Sequence, residues 1–268
     1  MLKYRSIDFD VKNLTEDNLF LNNICFGQMG EDFLVNLIFN NKRDGVYIDV
    51  GAHDGVRFSN SFAFSRLNWS GILVEAHPDY YNLCKNAREN DRTKIYNVAC
   101  SFEDNSSITF CSNYRGSCST LNPNLNEFYK SHYKNYYVDN NHNKKVKNFT
   151  NGKIEVKSKK LDTIIEENLD FFNNKDIDLI SIDVDGSEEY VLNGFDINKY
   201  KPRVVIFEVS VVRNVIENYM KNTNYYKIYD NSLNAIYCRD IADAKIFTEK
   251  LKKNSVVTIY DTGHPLGN

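Results

Sequence analysis

Residues 46–55 read VYIDVGAHDG. Val46, Tyr47, Ile48 and Val50 favour a buried strand. The strand runs into a turn with glycines at 51 and 55, which allow backbone conformations and close approaches that a Cβ obstructs. Helical residues follow from about Ser59 to Leu67. A strand, a glycine turn and a helix make a nucleotide-type pocket, because the helix N-terminus offers unpaired N–H groups and the positive end of a dipole.

Outward from this turn, strand-like and helical stretches alternate. Residues 28–40 place Phe33, Leu34, Leu37 and Ile38 on one helical face. GILVEA (71–76) reads as a second buried strand, and Pro78 opens a helix where its missing N–H costs nothing. KIYNVAC (94–100) reads as a third strand, with SITFCS (107–112) as a short neighbour. LDTIIEENL (161–169) is an amphipathic helix. DLISIDVDG (178–186) and RVVIFEV (203–209) are the fourth and fifth strands, and further strands are expected at 224–230, 234–239 and 255–260. This pattern predicts an α/β fold with a mostly parallel sheet covered by helices on both faces. In such sheets ligands sit at the carboxyl ends of the strands, near the switch in strand order.

Acidic residues gather at those ends. The first strand carries Asp49, the second runs into Glu75-Ala76-His77, the fourth into Asp183-Val184-Asp185, and the fifth ends in Glu208. Single acids at such positions also cap following helices. Four strand ends carrying costly buried carboxylates point to one shared polar site.

The chain has 268 residues, 42% hydrophobic and 26% charged, an ordinary globular composition that suits one large α/β domain over 1–268. A formal net charge of −3 disfavours a nucleic-acid backbone as the main partner. The basic clusters at 144–147 and 157–160 read as solvated surface. No stretch has the apolar core of a signal peptide or the roughly 18 apolar residues of a membrane span. Six cysteines show no CxxC pair and no zinc spacing, so they read as reduced thiols in a cytoplasmic protein. Abundant Asn, Lys, Tyr and Ile with scarce Pro reflect an AT-rich genome. Residues 1–26 read as an N-terminal extension. Residues 113–153 are polar, rich in Tyr and Asn, and too long for an ordinary connection; they read either as a disordered insert or as a lid folded over the site, and their tyrosines argue against full disorder.

Two cofactor classes use a glycine turn after the first strand and an acid after the second. Dinucleotides need G-x-G-x-x-G and a pyrophosphate on the helix N-terminus. Here the turn is G-x-x-x-G, and Asp49 and Asp54 oppose a pyrophosphate. That acidity suits a ligand bearing an ammonium and a sulfonium, which is S-adenosylmethionine. Glu75 is placed to accept hydrogen bonds from both ribose hydroxyls.

GQMGED (27–32), YIDVGAHDGVRFSNSFAF (47–64), WSGILVEAHPDYYNLCKN (69–86), LDTI (161–164) and IDLISIDVDGSEEYVLNGFD (177–196) together resemble the FkbM-type S-adenosylmethionine-dependent methyltransferases. The resemblance spans about 27–210. It implies a class I methyltransferase fold, Rossmann-like, with a seven-stranded sheet whose last strand is antiparallel. It implies that Asp49, Gly51 and Gly55 form the cofactor turn with His53, and that Glu75 binds the ribose. Ala76, His77, Ala99 and Cys100 would lie near the adenine and Asp183 beside the methionine end, with Gln28 and Asn60 also at the pocket. His53 stands where the family commonly has Asn. Asp185 and Ser187 stand where it often has Glu and a His or small residue.

The activity implied is methyl transfer to a hydroxyl of a sugar, glycan or related small molecule. The acceptor oxygen must be held about 3 Å from the methyl group and in line, while a base takes its proton. Asp185, Glu208 and Asp183 are the candidate bases, with His53 behind them. A divalent metal on Asp183, Asp185 and Glu188 is a second mechanistic option. The aromatic and amide side chains of 113–153 fit a sugar acceptor. The rival readings are a methyltransferase acting on RNA at a cap ribose, an NAD-type oxidoreductase, and a cofactor- or glycan-binding module without chemistry.

Overall fold

The computed structural model describes residues 3–6, 25–112, 120–121, 152–253 and 258–261. A first strand, β1 (Lys3–Ser6), precedes helix α1 (Glu31–Phe39). Strand β2 (Val46–Val50) and the short helix α2 (Phe62–Ser65) follow. Strand β3 (Ser70–Val74), helix α3 (Pro78–Arg88) and strand β4 (Thr93–Tyr96) complete the first half. Strands β5 (Ala99–Cys100), β6 (Ser107–Ser112) and β7 (Gly152–Lys159) form a separate three-stranded sheet in the order β5-β7-β6.

The second half runs through helix α4 (Leu161–Glu166), strand β8 (Leu179–Ile182) and helices α5 (Glu188–Leu192) and α6 (Ile197–Tyr200). Strand β9 (Val204–Glu208) and helix α7 (Arg213–Met220) then lead to strands β10 (Tyr226–Asp230) and β11 (Asn234–Cys238). Helix α8 (Ile241–Lys253) comes next, and strand β12 (Thr258–Asp261) pairs in parallel with β1.

The main sheet has seven strands in the order β10-β11-β9-β8-β2-β3-β4. β4, β3, β2, β8 and β9 are parallel, and β11 is antiparallel to both β9 and β10. This is the arrangement that the class I methyltransferase resemblance implies. The central strands bury both faces, so they read as near-continuous apolar runs. Alternation still sorts them: Tyr47, Leu73 and Ile206 pack with α1, α2 and Trp69 on one side, while Val46, Ile48, Val50, Ile72 and Val205 pack with Leu161 and Ile164 on the other. Trp69 is fully buried beside Phe39 and Phe64, its indole N–H donating to the Lys42 carbonyl at 2.7 Å.

Three expectations change. The third strand is not continuous over 94–100. Asn97 donates its side-chain amide to the carbonyls of Glu75 and Ala76, at 2.8 and 3.1 Å. Beyond it Ala99–Cys100 leave the main sheet and pair with Ser158–Lys159. The basic cluster at 157–160 is therefore the end of a paired strand. The helix expected over 59–67 is only one turn, because Ser59 and Ser61 turn their hydroxyls inward to Asp49. Of the 113–153 insert, only 120–121 and 152–153 fall among the described residues; His132, His142, Cys118 and the tyrosines of that segment lie outside them. So do 255–257 of the last expected strand and most of 1–26.

Candidate functional site

Register brings the acidic strand ends level. Val50 is opposite both Val74 and Ile182, and Ile182 is opposite Phe207. One residue further, Gly51, Glu75, Asp183 and Glu208 stand at the same edge. The chain passes outward through β2, β3 and β4, and then through β8, β9 and β11 in the other direction. The cavity opens at the β2/β8 switch point, where ligands bind in open α/β sheets.

Gly51 has φ +88°, and a Cβ there would fall into the Asp183 carbonyl. This close approach joins the β2 turn to the β8 end. Gly55, at φ +80°, lies against α3, where a Cβ would come within 2.7 Å of Arg88 Cγ. Arg88 is buried and donates to the Gly55 carbonyl and, at 2.8 Å, to Tyr47 Oη. It also reaches Ser61 Oγ at 3.3 Å, and the hydroxyls of Ser61 and Ser59 donate to Asp49 Oδ2 at 2.6 and 3.2 Å. A cation hidden under the turn thus offsets the buried Asp49 carboxylate, whose pKa burial raises against the pull of Ser61 and Arg88.

Glu75 receives the His53 N–H on Oε2 and the His77 N–H on Oε1, both at 2.7 Å. Each oxygen keeps a second lone pair, so the carboxylate can take one more donor on each side. Burial raises its pKa to about 7 against those two amides. The His53 ring lies on Tyr80 at 3.7 Å between centroids. Asp54 accepts the Val56 and Arg57 amides at 3.0 and 2.8 Å, so it closes the turn.

Gln28, Asp49, Gly51, His53, Asn60, Glu75, Ala76, Ala99, Cys100, Asp183, Asp185 and Glu208 all line one cavity. The structure does not bring His77 and Gly55 to it. His77 is fully buried, accepts the Asp79 N–H on Nδ1 as the cap of α3, and meets Ser112 Oγ with Nε2 at 2.8 Å.

Among the described residues, carboxylate oxygens of Asp183, Asp185 and Glu208 lie within 4.8 Å of one another. Three hard oxygen donors at that spacing can hold a divalent cation. Glu188, named with the first two on sequence grounds, instead accepts the Val184 N–H at 3.0 Å and is fully buried. Crowding has a second effect. Loss of solvent and the neighbouring Glu208 raise Asp183 and Asp185 well above the carboxylate range, and loss of solvent together with Glu188 raises Glu208 to about 7. Glu208 Oε1 accepts from Ser210 Oγ at 2.6 Å, and the same carboxylate also meets the Asp183 side chain and the Asp185 backbone. Left-handed φ values recur at the lining: 52° at His53, 58° at Phe58 and 51° at Asp185. For a residue as bulky as Phe58 that conformation is an outlier, and such strain gathers at functional sites.

Several residues of the site carry no chemical motif. Arg57, Phe58, Phe110, Leu121, Ser181 and Ser187 also line the cavity. Gln28 is placed by two buried acids next to it. Asp32 accepts the amides of Phe26, Gly27 and Phe33 at 2.8, 3.2 and 2.9 Å. Glu31 accepts Met29 N–H at 2.8 Å and Asn234 Nδ2 at 2.7 Å. The acid pair in GQMGED was the visible signal for this loop. Arg88 had none, since a lone arginine in the last turn of a helix also suits the dipole.

The family model described as the methyltransferase FkbM domain matches residues 49–227. No curated protein matches the chain. Among solved structures, the chain is similar to methyltransferase FkbM from Methylobacillus flagellatus KT, at 11% identity and a TM-score of 0.42, over 73% of this chain and 43% of that one. It is also similar to precorrin-6y C5,15-methyltransferase from Geobacter metallireducens GS-15, at 13% identity and a TM-score of 0.38, over 88% of this chain and 98% of that one. The chain spans less than half the length of the first of these.

Proposed function

The chain belongs to the FkbM methyltransferase family, and from that premise we propose that it transfers a methyl group from S-adenosylmethionine to a hydroxyl of a sugar, glycan or related small molecule. The observation that carries this reading is Glu75, which holds one backbone amide on each carboxylate oxygen and faces the cavity with a further lone pair on each. Two vicinal ribose hydroxyls complete that arrangement. Ala76, Ala99 and Cys100 border the adenine. Gln28, Asp49, Gly51, His53, Asn60 and Asp183 surround the methionine portion.

S-adenosylmethionine supplies an electrophilic sulfonium methyl group, which the acceptor oxygen takes as the carbon–sulfur bond breaks and its electron pair stays on sulfur. Asp183, Asp185 and Glu208 form the acidic end of the cavity and favour a cationic donor there. Once the donor's positive charge has ionised it, Glu208 or Asp185 takes the hydroxyl proton as the oxygen–carbon bond forms, a contribution of about 10²–10⁴-fold in rate. In the same cavity the carboxylates repel a pyrophosphate, which separates this site from a dinucleotide site.

Calorimetry tests the cofactor, and transfer of labelled methyl groups to fractionated glycans, lipids and RNA tests the acceptor. S-adenosylhomocysteine is expected to bind at micromolar concentration and NAD is not. Glu75→Ala weakens that binding by about 1–3 kcal/mol, the cost of unmet polar groups. An unchanged affinity would remove Glu75 from the ribose.

A further inference from the structure

Among the described residues, Thr120 and Leu121 link the 113–153 segment to the cavity. Thr120 pairs with Cys111 at the end of β6 through two backbone hydrogen bonds, of 3.0 and 3.1 Å. Its hydroxyl meets Ser187 Oγ at 2.8 Å, and the Leu121 N–H donates to the same Ser187 Oγ at 2.9 Å. Ser187 is 2% exposed and follows the Asp183–Gly186 turn. So one hydroxyl ties the segment to the acidic strand end and fixes the backbone of Leu121. The Leu121 side chain is 8% exposed and packs with Ala99 and Phe110, bordered by Ala76 and Tyr190. Ala76, Ala99, Phe110 and Leu121 also line the cavity.

An apolar wall beside Glu75 is suited to a purine face, since aromatic rings gain from apolar contact. Leu121 comes from outside the main sheet, from a segment whose composition suggested only an acceptor role. We propose that Leu121, positioned by Ser187, is a cofactor-binding residue that packs on the adenine. This rests on the S-adenosylmethionine reading above. It also makes Ser187 a positioning residue, because the hydroxyl that holds Leu121 belongs to the turn carrying Asp185.

The test uses the full chain. Leu121→Ala weakens S-adenosylhomocysteine and adenosine by the same factor, about tenfold, because the lost contact is on the base they share. Leu121→Met, which keeps the volume, stays within about threefold of wild type. Ser187→Ala weakens both ligands about fivefold. In the wild-type complex with S-adenosylhomocysteine, NMR shows an Overhauser contact between adenine H2 or H8 and a leucine methyl that is missing from the Leu121→Met spectrum. Absence of that contact, or Leu121→Ala affinities equal to wild type, overturns the proposal even if the alanine variant is poorly stable, since the first measurement needs no destabilised protein. Failure of wild type to bind S-adenosylhomocysteine at all would instead remove the cofactor reading on which the proposal stands.

Discussion

Gly51 and Glu208 show how much of the site rests on single atoms. At Gly51 any side chain meets two obstacles, a φ of +88° and the Asp183 carbonyl. Backbone strain alone costs about 1–3 kcal/mol at such a position, and the steric conflict must be relieved by moving β8 away from β2. Gly51→Ala is therefore expected to lower stability in urea denaturation by more than that strain, and to abolish S-adenosylhomocysteine binding in the fraction that still folds. At Glu208 the question is chemical. The buried carboxylate, raised to about 7 by loss of solvent and by Glu188, can receive a proton. Glu208→Gln keeps the shape and removes that capacity. If Glu208 is the base, kcat falls by about 10²–10⁴-fold while S-adenosylhomocysteine affinity stays within about threefold. A kcat equal to wild type would transfer the role to Asp185.

At the scale of elements, the loop before α1 is held by buried carboxylates. Asp32 gathers three amides and lies wholly inside the protein. Asp32→Asn would press an amide donor against at least one N–H, an unpaired polar contact worth about 1–3 kcal/mol. We expect a loss of stability of that size and weaker S-adenosylhomocysteine binding, because Gln28 follows the loop; calorimetry and chemical denaturation measure the two separately. The acids at 31 and 32 also mark what the sequence could and could not tell. The inner strands β2, β3, β8 and β9, and the carboxylates at their ends, were legible because apolar runs and expensive charges leave strong local signals. The break at Asn97 was not, because it depends on carbonyls of the neighbouring strand. Nor was strand β7, since its alternation of lysines with apolar residues looks like surface until β5 and β6 pair with it. His77 looked like an adenine neighbour by position; only the depth of α3 shows it turned to Ser112.

For the molecule as a whole, the stored acidity should govern stability against pH. Asp32, Glu75, Glu188 and Glu208 are each raised to about 7, chiefly by loss of solvent. Between about pH 4.5 and 7 the folded chain then holds protons that the unfolded chain has released. The slope of unfolding free energy with pH follows the protons bound unfolded minus those bound folded, which is negative here, so stability falls as pH rises through that window. The lowered carboxylates oppose this only at lower pH: Asp230, held down to about 2 by Arg213, has already ionised in both states above pH 4.5. The melting temperature of the ligand-free protein should therefore decline from pH 5 to pH 8. A cationic donor reverses part of that decline, because it favours the ionised carboxylates. The increase in melting temperature produced by S-adenosylmethionine should thus be larger at pH 8 than at pH 5.5, and sinefungin, which carries an amine in place of the sulfonium, should behave alike. The uncharged thioether of S-adenosylhomocysteine should show a weaker pH dependence. Equal pH dependence for all three ligands would mean that the acidic end of the cavity does not face the donor's positive charge.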